Sequence, residues 1–102
     1  MKIRIPFNNW SRERLKKGIK TATSRNKKYG EVGDTFVVDG VTYELEVVTK
    51  VSLQSVLDVC YDIEGAKSKE EFIEIWKEIH PRKGWDPDQK VWFHRFKKLE
   101  EE

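Results

Sequence analysis

Thr35-Phe36-Val37-Val38-Asp39-Gly40-Val41-Thr42-Tyr43-Glu44-Leu45-Glu46-Val47-Val48 is the stretch that decides the architecture. Two runs of β-branched and aromatic residues flank Asp39-Gly40, a dipeptide suited to a two-residue hairpin because both central positions of that turn take positive φ. In the second run Tyr43, Leu45 and Val47 are expected on one face, with Thr42, Glu44 and Glu46 towards water. A β-hairpin therefore stands at the centre of the chain, and everything else is arranged around it.

Upstream of the hairpin, Gly33-Asp34 leads into the first strand, and Asn26 to Gly30 reads as a basic loop. Before that loop comes Gly18-Ile19-Lys20-Thr21-Ala22-Thr23-Ser24-Arg25, which packs two cations and three hydroxyls into residues 20–25. No apolar periodicity requires this composition. Lysine beside threonine or serine offers a phosphate clamp or an activated hydroxyl nucleophile; a solvated loop is the plain alternative. Phe7, Trp10 or Ser11, and Leu15 fall at helical spacing, with Asn8 or Asn9 as N-cap and Gly18 as the C-terminal glycine. Lys2-Ile3-Arg4-Ile5 alternates and stops at Pro6, as a short strand would.

Downstream, Leu53, Val56, Leu57 and Cys60 fit a short amphipathic helix, followed by an irregular segment from Tyr61 to Lys67 around Gly65. Ser68-Lys69-Glu70-Glu71 is a capping-box signature. Phe72, Ile75, Trp76 and Ile79 form the apolar stripe of the helix it opens, and His80-Pro81 closes it. Arg82 to Gln89 is a loop, Val91 to Phe96 a final strand, and Glu100–Glu102 a fraying tail. A central hairpin, strands at both ends and intervening helices indicate an α+β fold. With so few strands, the sheet is expected to curl into a partly closed barrel with two to three helices.

The 102 residues suit one domain, 1–102. A single cysteine excludes an internal disulfide framework and fits a reducing compartment. No apolar run has bilayer length, so a cytoplasmic, membrane-independent monomer is expected. His80 and His94 lack partners at ligand spacing, so no metal and no cofactor are expected. The net charge of +2 conceals an asymmetry: residues 1–30 carry net +9 and residues 31–102 net −7. A focused positive front is a natural site for a polyanion such as RNA, or for a nucleotide-like small molecule.

Three features in order resemble the ASCH family, whose fold is barrel-like and related to the PUA RNA-binding domain. They are Lys20-Thr21-Ala22-Thr23-Ser24-Arg25 behind a basic helix, Gly33-Asp34 before a strand, and Ser68 through Trp76 to His80-Pro81 before an aromatic strand. Within that family the small bacterial amidohydrolase of N4-acetylcytidine carries Lys-Thr-x-Thr-x-Arg. The resemblance implies Thr23 as nucleophile, Lys20 as its base and Glu71 as proton donor. Ser24 stands where that enzyme has an apolar residue. Other family members are linked to RNA binding or RNA cleavage, so a non-catalytic RNA module and a ribonuclease are the alternatives.

The residues themselves impose conditions on this reading. Lysine is a base only when neutral, which crowding by Arg25, Lys16 and Lys17 or burial would promote. On a regular strand Lys20 and Thr23 project to opposite faces, so a turn or bulge must separate them if they cooperate. Glu71 has a competing role as the helix cap. For substrate binding, Lys16, Lys17, Thr21, Ser24 and Arg25 supply polar and cationic contacts, and Trp85, flanked by turn residues, supplies a stacking surface; Trp92 and Trp76 read as core.

Overall fold

The computed structural model describes residues 1–99, so the Glu100–Glu102 tail lies outside the described residues. Helix α1 (Asn9–Lys16) is followed by strands β1 (Ala22–Arg25), β2 (Thr35–Val38) and β3 (Val41–Ser52). Helices α2 (Leu53–Cys60) and α3 (Lys69–Ile79) come next, and β4 (Lys90–Lys98) closes the described chain. The strands form one antiparallel sheet in the order β1-β4-β3-β2, an open half-barrel with β1 at one edge.

The hairpin forms where its residues demand. Asp39 and Gly40 take φ of 50° and 81°, the paired positive values of a primed turn. The expected face pattern holds only as far as Leu45. A bulge between Leu45 and Val47 shifts the register against β4. Tyr43 and Leu45 therefore lie in one buried cluster, while Val47 packs against the other and Val48 returns to the first. An unpaired residue reverses every side chain beyond it, and this one bends the long strand across both cores.

Those cores lie on opposite faces of the sheet. Ile5, Leu15, Phe36, Tyr43, Leu45 and Phe96 fill the side covered by α1 and the N-terminal segment. Ala22, Leu53, Val56, Phe72, Trp76 and Phe93 fill the side covered by α2 and α3. The helix ends follow the sequence signals. Asn8 Oδ1 accepts from the Ser11 N–H at 2.8 Å, and Ser68 Oγ from that of Glu71 at 3.1 Å. Gly18, at φ 74°, turns the chain out of α1.

The N-terminal strand expected from Lys2 to Ile5 does not form. Lys2 makes only an isolated bridge to Thr35, because Pro6 stops the segment before it can pair further. The edge strand comes instead from Ala22–Arg25, inside the polar stretch that no apolar alternation marked.

Candidate functional site

The free edge of β1 borders the site. Thr21 and Ala22 N–H both donate to the Ile63 carbonyl, at 2.7 and 3.0 Å, which interrupts strand geometry just behind Lys20. Lys20 Nζ makes its hydrogen bonds to Glu64, and Thr23 Oγ1 accepts from Arg25. Ile63 belongs to the turn after α2, held by Glu64 N–H to Cys60 O and Ala66 N–H to Tyr61 O. Gly65 in that turn has φ 107°, and a Cβ there would lie 3.4 Å from Cβ of Lys20.

Clamping this turn against β1 brings Glu64 to Lys20. Both are nearly sealed, at 4% and 5% exposure. Lys20 Nζ donates to the Glu64 carbonyl at 2.7 Å and lies 3.5 Å from its Oε1. The carboxylate also accepts the Ser24 N–H at 3.2 Å and the Ser24 hydroxyl at 2.6 Å. A carboxylate so satisfied can stay buried. Burial pushes the Lys20 ammonium below the ordinary lysine range, with Arg25 adding to the effect and Glu64 opposing it.

Lys20, Thr23, Ser24, Arg25 and Glu64 open into a cavity of about 550 Å³. It runs between α1 and α3, and its walls include Phe7, Trp10, Tyr29, Phe72, Trp76 and His80. Its size and its few polar groups among aromatic surface match a site for one small molecule. Arg25 donates through Nε to Thr23 Oγ1 at 3.0 Å and through Nη2 to the Pro6 carbonyl at 2.6 Å. Its guanidinium lies over the rings of Phe7 and Tyr29, 4.9 and 5.5 Å from their centres. Behind Thr23 stands His94, fully buried. The Tyr29 N–H occupies its Nε2 at 3.1 Å, so Nδ1 carries the proton, 3.2 Å from the Thr23 carbonyl.

No protein-family model matches the chain, and no curated protein matches it. Solved structures do. An ASCH domain from Lactobacillus crispatus superposes with a TM-score of 0.63 at 17% identity, over 95% of this chain and 77% of that one. The fold is that of an ASCH domain. A hypothetical protein, PH0355, shares it with a TM-score of 0.74 at 16% identity, over 97% of this chain and all of the other. A protein of Enterococcus faecalis, EF3133, does so at 0.62 and 22%, over 91% and 73% of the respective chains.

Within this ASCH fold the residues singled out from the sequence divide sharply. Lys20, Thr23, Ser24 and Arg25 all reach the cavity. Glu71 does not line it. Its Oε1 accepts the Lys67 N–H at 3.1 Å and its own N–H bonds Ser68, so it caps α3. Glu64 is the carboxylate at Lys20. Trp85 packs edge-on against Phe72, 6.0 Å between ring centres, on the core side of α3 rather than in the cavity. Trp76, read as core alone, is buried yet also lines the cavity, with the His80 ring 4.3 Å away at a tilt of 35°. Lys16, Lys17 and Thr21 border a separate hollow of about 290 Å³ with Val41, Tyr43 and Phe96. At the surface the two lysines pair with Asp39 and Glu13.

Glu64 was hidden because it lies in an aperiodic segment between helices. One signal pointed towards it: a lysine that is to be buried needs a carboxylate, and Glu64 precedes a glycine able to turn the chain onto β1.

Among the described residues no group of three His, Cys, Asp or Glu side chains is placed to hold a metal ion. No helix among them is long and apolar enough to cross a membrane.

Proposed function

We propose that the protein is an ASCH-family amidohydrolase that takes an N4-acylated cytidine into the cavity and removes the acyl group. The observation that carries this reading is the sealed Lys20–Glu64 pair opening into an aromatic-walled cavity that Thr23 shares. A pyrimidine stacks against the aromatic wall, and its polar edge meets the Lys20, Ser24 and Arg25 groups.

In this reaction Thr23 Oγ attacks the acyl carbon while neutral Lys20 takes the hydroxyl proton. The Arg25 N–H on Thr23 Oγ1 favours a negatively charged oxygen there. As the C–N bond breaks, the proton passes from Lys20 to N4, with Glu64 holding the amine in place. Cytidine leaves; water then attacks the Thr23 ester as Lys20 takes its proton, and Lys20 returns that proton to Thr23 Oγ as the C–O bond breaks and the acyl group departs as the carboxylic acid. Lowering of the Lys20 pKa by burial makes the neutral amine available below the ordinary lysine range.

The test is release of cytidine from N4-acetylcytidine. The wild type turns over, and kcat/KM rises with pH along a limb that reports Lys20. Lys20→Arg keeps the charge beside Glu64 but supplies no base at neutral pH, and it lowers kcat/KM at least about 100-fold. A wild type without turnover, or a Lys20→Arg variant of undiminished rate, ends the proposal.

A further inference from the structure

Beside the cavity the sheet carries a feature that deacylation of a free nucleoside does not use. The register sets Arg25 of β1 opposite Trp92 of β4, and Lys50 of β3 opposite the same Trp92. Directly paired residues share a face of a sheet, so the three stand side by side across adjoining strands spaced about 4.8 Å apart. Trp92 is only partly buried, unlike its strand neighbours Val91, Phe93 and His94, all of which are buried.

Two ammonium groups attend this ring: Lys28 Nζ at 5.2 Å and Lys50 Nζ at 5.7 Å from its centre. Lys27 lies over Tyr29 at 4.8 Å, and both Lys27 and Tyr29 line the cavity. Lys28 is paired with Glu31. Among the described residues no carboxylate lies within ion-pair distance of Lys27 or Lys50, so their charge is unspent. The row is continuous with the cavity through Arg25.

We infer that the Arg25–Trp92–Lys50 row is a second nucleotide subsite, so that the substrate is a single-stranded polynucleotide whose target base enters the cavity while its neighbour stacks on Trp92. An accessible indole flanked by cations matches a base joined to phosphates: the ring takes the π-face, and Lys27 and Lys50 take the phosphodiesters. An acidic peptide supplies the charges but no flat partner for the indole. The inference rests on the cavity as the base site, and it assigns the substrate's size rather than its chemistry.

The experiment measures binding of a fluorescein-labelled single-stranded RNA octamer containing one N4-acetylcytidine, and separately of free N4-acetylcytidine, to the intact chain and its variants. The octamer binds more tightly than the nucleoside, with an affinity that falls steeply with salt. Trp92→Ala weakens octamer binding at least about fivefold, Trp92→Phe restores most of it, and Lys50→Glu weakens it and flattens the salt dependence. All three leave nucleoside binding unchanged. Equal affinity for octamer and nucleoside, or octamer binding indifferent to both Trp92→Ala and Lys50→Glu, overturns the subsite and leaves the cavity reading standing. If the octamer binds through Trp92 and Lys50 while free nucleoside never binds, the cavity reading fails and the strand surface survives.

Discussion

At the scale of single residues, the site is organised by what burial demands of charge. A lysine shut away from water needs a carboxylate with excellent partners, and Glu64 is held by Lys20 and by both polar groups of Ser24. His94 meets the same demand without charge. One ring nitrogen accepts from Tyr29 and the other donates to Thr23, so the imidazole is fully satisfied only when neutral. Burial accordingly depresses its pKa, with the charge of Arg25 acting in the same direction. The sign follows: the unfolded histidine, at about 6.5, binds a proton that the folded one refuses, so stability falls as pH drops below about 6.5 towards the lowered folded value. Urea denaturation between pH 7.5 and 5 should show this slope in the wild type and a shallower one in His94→Gln. An equal slope in both places the imidazole outside the linkage.

At the scale of elements, the features that rest on local chemistry were legible in the sequence. Asp39-Gly40 specifies its turn, Ser68 and Glu71 specify a helix start, and Leu53, Val56 and Leu57 specify a buried helical stripe. What escaped depends on distant partners. The Ala22–Arg25 strand is polar because its outer edge meets a carboxylate and a cavity instead of a further strand. The bulge after Leu45 has no residue signature, and it reverses the faces of Val47 and Val48. The roles of Glu64 and Trp85 turn on how one aperiodic segment and one loop pack, which no spacing encodes. Glu71 shows how local and distant roles compete, since its cap geometry engages both its N–H and its carboxylate. Ser68→Ala removes the hydroxyl that accepts the Glu71 N–H and should cost about 1 kcal/mol in urea unfolding. No loss of stability would mean that α3 is fixed by packing of Phe72 and Trp76 alone.

At the scale of the whole molecule, the sheet separates two cores and offers its β1 edge to the space between α1 and α3. That arrangement lets one turn, Tyr61 to Gly65, deliver a carboxylate to a lysine 44 residues earlier in the chain. Charge is arranged to match. Lys16 and Lys17, at the end of α1, pair at the surface with Asp39 and Glu13, whereas Arg25 and Lys27 line the cavity and Lys50 stands on the sheet beside it. The most direct measurement of this account sets two carboxylate variants side by side in cytidine release from N4-acetylcytidine. Glu64→Gln, which removes the carboxylate that positions Lys20 and the leaving amine, should lower kcat/KM at least about 100-fold; Glu71→Gln, which still caps its helix, should keep nearly the wild-type value. Loss in Glu71→Gln with full activity in Glu64→Gln would contradict it.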